Sequence, residues 1–170
     1  MFLQSNLLKL RNSESSDISY VMNAEHDQEN IAFISQWTYE QHLEAILDEA
    51  IHHLINEDNS GEKVGYVILT GLFDPNKAIY IKRIVIQRKN KGYGREALRL
   101  IIKWVFEQTN THRLWLDVID NNHRAIHVYE TAGFTCEGTL RDCFLKGDRY
   151  ISLSFMSILR HEYDSEFHEG

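Results

Sequence analysis

Long hydrophobic runs are missing from this 170-residue chain: stretches such as Ile84 to Ile86 and Leu100 to Ile102 are only three residues each. A helical bilayer span needs about 20 apolar residues, so no membrane association is expected. Cysteine is scarce as well. Cys136 and Cys143 are the two present, too few for a disulfide framework and without C-x-x-C spacing; they read as reduced thiols used as buried filler. The opening Met1-Phe2-Leu3-Gln4-Ser5-Asn6 has neither the basic front nor the apolar stretch of a secretion signal, which points to a cytoplasmic protein. Positive charge is in deficit, with 18 Lys and Arg against 25 Asp and Glu, a net charge of −7 and a pI near 5.7. That argues against nucleic acid, whose phosphates need a basic face, and suits cationic substrates. His52 and His53 are adjacent instead of one helical turn apart, so no metal is expected. Repeats, linkers and low-complexity segments are lacking too, and residues 1–170 read as one domain.

What is there is a mixed α/β pattern. Leu7 to Arg11 alternates as a short strand, and Asn12-Ser13-Glu14-Ser15-Ser16 supplies helix-capping types. From Trp37 to Ile55 apolar residues recur at Leu43, Ile46, Leu47, Ala50, Ile51, Leu54 and Ile55, which predicts one helix ending at Asn56 to Gly61. Lys63 to Leu72 and Ala78 to Ile86 are rich in Val, Ile and Tyr around Asp74-Pro75-Asn76, which holds the single proline, and predict an antiparallel pair. A helix with Ala97, Leu98, Ile101, Trp104 and Val105 on one stripe follows. Then come a strand over His112 to Ile119, a helix over Ala125 to Ala132 capped by Asn121-Asn122 and stopped by Gly133, and a hairpin of Phe134 to Leu145 and Arg149 to Leu159 turned at Gly147-Asp148. The apolar set of the last strand changes face between Phe155 and Met156, as at a bulge.

Lys89-Asn90-Lys91-Gly92-Tyr93-Gly94-Arg95 follows a strand and opens a helix. Backbone N–H groups and the helix dipole converge at such a point, where glycines let an anion approach. Gly92-x-Gly94-x-x-Ala97, with Asp117 23 residues after Gly94, also fits a dinucleotide fingerprint literally. Five polar residues, Gln87 to Lys91, separate strand from glycine, however, and the chain ends in a hairpin instead of further βαβ units. No Gly-Lys-Ser or Gly-Lys-Thr marks a nucleoside triphosphate loop.

The loop resembles the pyrophosphate loop of the GNAT family of acyl-CoA N-acyltransferases, with Lys89 in place of the usual Arg or Gln. Asn122-His123-Arg124-Ala125-Ile126-His127-Val128-Tyr129-Glu130-Thr131-Ala132-Gly133-Phe134 is similar to a second family stretch, in the expected order, and the resemblance runs from about Leu7 to Leu159. It is nearest to the branches that acetylate protein N-termini and polyamines. The resemblance implies a mostly antiparallel sheet of six or seven strands, splayed near its middle, with helices on both faces and acetyl-coenzyme A as cosubstrate. Lys89, Lys91, Gly92, Tyr93, Gly94 and Arg95, joined by Arg88, are expected to meet phosphates. Main-chain groups of Ile84, Val85 and Ile86 are expected to pair with the pantetheine arm, and Asn122 to contact the coenzyme.

Acetyl transfer from a thioester to an amine needs a deprotonated amine, a polarised carbonyl and a proton for the departing thiolate. An alkylamine near pKa 10.4 is neutral in only about one molecule in a thousand at pH 7. By resemblance Tyr129 is the acid. Many relatives carry a glutamate where this chain has Tyr80, and relatives that acetylate protein N-termini carry a glutamate base at the place of Asp117. The resemblance therefore makes Asp117 the candidate base, directly or through water, with a solvated strand-end carboxylate as the alternative, while His123 and His127, which could relay protons, read rather as surface or packing residues. The acceptor stays open among protein N-termini, polyamines and small amines, with contacts expected from the first two helices, Asn30 to Thr38 and the terminal hairpin, and a homodimer is a further option. A non-catalytic acyl-CoA-binding or protein-interaction module is the rival, which Tyr80 leaves standing and Tyr129 argues against.

Overall fold

The computed structural model describes the backbone of residues 1–167 and the side chains of residues 1–165. Its elements are β1 (Phe2–Gln4), β2 (Leu8–Asn12), a 3-10 turn (Ser15–Asp17), α1 (Ile18–His26), α2 (Tyr39–Leu47), β3 (Ile51–Asp58), β4 (Lys63–Thr70) and β5 (Ala78–Ile86). They continue with α3 (Tyr93–Gln108), β6 (Arg113–Ile119), α4 (His123–Thr131), β7 (Thr135–Lys146), β8 (Arg149–Leu159) and α5 (Arg160–Phe167). The strands form one sheet in the order β1-β2-β3-β4-β5-β6-β8-β7. All neighbours are antiparallel except β5 and β6. This is the mixed, mostly antiparallel sheet anticipated, with eight strands because β1 and β3 are added.

The parallel pair is what shapes the molecule. Only Ala78, Ile79 and Tyr80 find partners on β6, at Arg113, Leu114 and Trp115. Beyond Tyr80 the two strands part, while β5 stays bonded to β4 as far as Ile86 opposite Gly65. A wedge-shaped opening therefore runs down the β6 side of β5.

Helices α3 and α4 pack on one face of the sheet. Ala97, Leu98, Ile101, Ile102, Val105 and Phe106 of α3 bury against Ile79, Ile81, Leu114 and Leu116, with Ala125, Ile126 and Val128 of α4 alongside. Each fully buried Leu or Ile there contributes about 1.5–3 kcal/mol. On the other face, Val21 and Ala24 of α1 meet Ile55, Tyr66, Ile68 and Val85.

The single helix expected over Trp37 to Ile55 is two elements. Thr38 caps α2 through the Gln41 N–H, the Asp48 side chain turns the chain by accepting from Ala50 N at 2.8 Å, and Ile51 starts β3. A strand covered on both faces buries consecutive residues, as His53 to Asn56 do, so it lacks the alternation that would have marked it. His52 and His53 consequently point to opposite faces, His52 against Trp104 and His53 towards His42. The bulge expected in the last strand lies in its partner: β7 shifts register between Cys136 and Gly138, opposite Met156 and Phe155. The cysteines are not filler, because β7 is an outer strand exposed almost throughout, Cys136 and Cys143 included.

Candidate active site

The splay brings Tyr80, Asp117 and Tyr129 together. Tyr80 and Asp117 stand on the β5 and β6 faces opposite the buried Ile79, Leu114 and Leu116, and the Tyr80 hydroxyl donates to Asp117 Oδ2 at 2.7 Å. Burial pushes the Tyr80 phenol well above its ordinary value, and the Asp117 charge pushes it further. Tyr129 comes from α4, half-buried, its ring edge-on to Phe134 at 5.9 Å. Burial and then the Asp117 carboxylate raise its phenol too, so both tyrosines keep their protons at neutral pH. Asp117 is half-buried, and among the described residues Tyr80 is its one hydrogen-bond donor from a side chain.

The segment Lys89 to Arg95 joins the end of β5, already parted from β6, to the start of α3. Gly92 precedes α3 with φ +79°, a left-handed conformation that glycine adopts at least cost, and it caps the helix without a side chain. The first N–H groups of α3 are thus left unspent by capping, beside the exposed Lys91 and Arg95. Gly94 differs from Gly92. A Cβ there would meet Ile86 Cγ1 at 3.5 Å, an ordinary contact, so neither backbone nor packing within the chain demands a glycine. Beyond Tyr80 the β6-side edge of β5 along Ile84, Val85 and Ile86 is left without a strand partner, beside this helix start.

The other loop residues are tied down. Lys89 Nζ donates to Asn30 Oδ1 at 2.6 Å, reaching the loop between α1 and α2. Arg124 of α4 donates to Asn90 Oδ1 at 2.8 Å, and Tyr93 packs against the main core. Arg88 pairs with Glu62 and stands 3.5 Å from Asp58. Asn122 is the cap of α4, its Oδ1 accepting from Ala125 N at 3.2 Å. His123 and His127 are exposed. Lys146 at the end of β7 donates to the carbonyls of Ile31 and Ile34, so the terminal hairpin meets the loop between α1 and α2.

One cluster escaped the sequence. Glu25 of α1 is fully buried and accepts from Tyr66 Oη at 2.8 Å, from Trp37 N at 2.9 Å and from Arg83, with His42 Nε2 3.2 Å away. From His42 a chain continues to His53 at 3.1 Å and on to Ser13 at 2.7 Å. Burial pushes the Glu25 carboxyl up, but these partners outweigh it and hold it below the usual range. Two concavities, of 680 and 360 Å³, open elsewhere, one around Pro75, His112 and Arg160 and one around Ser13, Leu47 and His53.

The sheet thus parts beside one parallel rung set, with a helix start bearing Gly92 at the opening and a phenol and a carboxylate in the gap. Residues 7–134 match the model of the acetyltransferase (GNAT) family, and the chain belongs to that family. Similar relatives include the spermidine N(1)-acetyltransferase of Escherichia coli (strain K12), 29% identical over 170 residues and covering 94% of this chain and 89% of the relative. The spermidine N-acetyltransferase of Vibrio cholerae in complex with CoA and spermine superposes with a TM-score of 0.83 at 25% identity, over 94% of this chain and 99% of the other. A dodecameric structure of the Vibrio cholerae enzyme gives 0.81 at 25% identity, over 96% and 99%. The protein is an acetyl-coenzyme A-dependent N-acetyltransferase acting on an amine. Among the described residues no helix is long and apolar enough to cross a membrane.

Proposed function

We propose that the acceptor is a polyamine, acetylated at one nitrogen within a single domain spanning the chain. The observation that carries this reading is likeness to spermidine acetyltransferases over nine-tenths of the length, at the level of both sequence and fold. The net charge of −7 favours encounter with a polycation.

Acetyl-coenzyme A, when bound, supplies a thioester carbonyl open to attack by an amine. The N–H groups along the free edge of Ile84 to Ile86 hold the pantetheine arm as an added strand and polarise that carbonyl. The start of α3 with Lys89, Lys91, Gly92, Tyr93, Gly94 and Arg95 receives the pyrophosphate, and Asn122 at the start of α4 lies along the same arm. Asp117 takes the ammonium proton, directly or through water, with the oxygen that Tyr80 leaves free. The nitrogen bonds to the carbonyl carbon, the carbon–sulfur bond breaks and Tyr129 gives its proton to the sulfur, while the second proton shed by the acylated nitrogen restores the Tyr129 phenol through water. Tyr80 fixes the Asp117 carboxylate and so replaces the glutamate that many relatives carry by a pair. Two thiols at the surface suit a reducing cytoplasm. The dodecamer of the Vibrio relative favours a larger assembly over a homodimer.

A panel of polyamines, peptides with free N-termini and small amines, read by thiol release and mass spectrometry, tests the reading. Acetylated polyamine is the expected dominant product. Preference for a peptide, or no transfer to any member, overturns it.

A further inference from the structure

On the sheet face opposite α3, rings from three adjacent strands stand in one stack. Tyr80 of β5 lies 4.1 Å from Trp115 of β6, and Trp115 lies 5.9 Å from Phe155 of β8, each pair inclined by 15°. A stack has two outer faces, and aromatic faces attract cations. At the Tyr80 end the protein supplies the cation itself, since Lys82 Nζ stands 5.8 Å from the Tyr80 centroid and 5.5 Å from that of Trp37.

The Phe155 end is open. Phe155 pairs with Gly138 of β7, and directly opposed residues share a face of the sheet, so the place beside the ring carries no side chain. A Cβ at Gly138 would meet nothing within 4 Å, and the φ of +153° at the β7 bulge accounts for the glycine. Phe155 is half-buried and stands on β8 directly opposite Asp117 of β6. The nearby Glu137 is already engaged by Arg113 and by Ser157 Oγ, which leaves the ring as the attraction for a cation at this end.

We propose that the outer face of Phe155, over Gly138, seats a second positive centre of the acceptor while the reacting nitrogen lies at Asp117. The inference rests on the polyamine reading and adds what selects a polyamine from a monoamine. One strand spacing is about 4.8 Å and a cation sits within about 6 Å of a ring centroid, so the two nitrogens lie roughly 6–10 Å apart, the reach of about four to seven methylenes. Lys82, holding the far end of the stack, keeps a second ammonium from binding there in the reverse sense.

The test compares wild type, Phe155→Leu and Phe155→Tyr on a graded series of linear diamines and on n-alkyl monoamines of matching length. In wild type kcat/KM should pass through a maximum along the diamine series and exceed that of the matching monoamine. Phe155→Leu should lower it for the best diamine by about 3- to 30-fold, through KM, and leave monoamines within about twofold. Phe155→Tyr, which keeps a ring, should retain the preference. Equal losses for diamine and monoamine, or no loss at all, overturn the seat. A bis-trimethylammonium alkane, which has no N–H to acetylate, separates the seat from the chemistry. Calorimetry with coenzyme A-loaded protein should show binding that weakens in Phe155→Leu, and equal affinity in both proteins overturns the proposal. Wild type that acetylates no diamine yet binds this salt through Phe155 retires the polyamine reading and leaves the seat standing.

Discussion

Two tyrosine hydroxyls donate to carboxylates on the same face of the sheet, Tyr66 to Glu25 at 2.8 Å and Tyr80 to Asp117 at 2.7 Å. Glu25 has no exposure and gathers a guanidinium, a backbone N–H and an imidazole around it as well. Asp117 is half-buried and, among the described residues, receives a side-chain hydrogen bond from its tyrosine alone. A carboxylate whose lone pairs are all spent holds elements together, whereas one with a spare oxygen beside an opening is free to take a proton. The same bond thus ties a knot in one place and, in the proposed mechanism, serves a reaction in the other.

Breaking the knot should cost most. Arg83→Leu leaves Glu25 buried without its strongest cation, and denaturant unfolding is expected to show a loss of about 3–5 kcal/mol. Little change would mean that the cluster is not the fastening it looks to be.

The knot should also give way in acid. Burial, then His42 and Arg83, hold the His53 imidazole down to about 4, against the opposing pull of Glu25 and Asp17. The unfolded chain therefore binds a proton between about pH 6.5 and 4 that the folded one refuses, so stability falls as pH drops through that window, by up to about 3 kcal/mol. Glu25, held low, adds its own loss below the ordinary glutamate range. His53→Gln should flatten the first part of this profile, which unfolding at several pH values would reveal.

At the reactive pair the expected losses are in rate. Tyr129→Phe should keep coenzyme affinity within a few-fold and lower turnover by about 10²-fold, the scale for losing a positioned acid. Unchanged turnover would make Tyr129 a packing residue. Asp117→Asn should lower kcat/KM by about 10-fold at neutral pH. The gap should narrow from about pH 6.5 to about 9.5, because the amine increasingly supplies its own neutral form. Parallel pH profiles for wild type and variant would remove Asp117 as the base.

The candidate pair, Asp117 and Tyr129, stood out in the sequence and the knot did not, for a physical reason. Asp117 and Tyr129 sit in segments with local signatures, an alternating strand and a helix bracketed by Asn122 and Gly133. Glu25, His42, His53, Tyr66 and Arg83 come from five separate elements and meet only because the helices fold back over the sheet. The missed strand β3 belongs to the same blindness: Leu54 and Ile55 keep the helical period of Leu43 and Ile46, and what makes them a strand is burial from both sides. Helix α5 carries a largely polar sequence, Arg160-His161-Glu162-Tyr163-Asp164, with no stripe to announce it.

The short joint between β5 and β6 also governs the order in which the chain acquires its shape. Strands β3, β4 and β5 pair with sequence neighbours across short turns, and β7 folds back on β8 through Gly147-Asp148. Joining the two groups requires closing the segment that contains α3 for the return of three pairs, an entropic toll that local pairing does not carry. Loop-closure entropy therefore predicts that the local pairs form before the joint, and that the gap where Tyr80 meets Asp117 is ordered last. A refolding chain should regain its hairpins before it regains its activity.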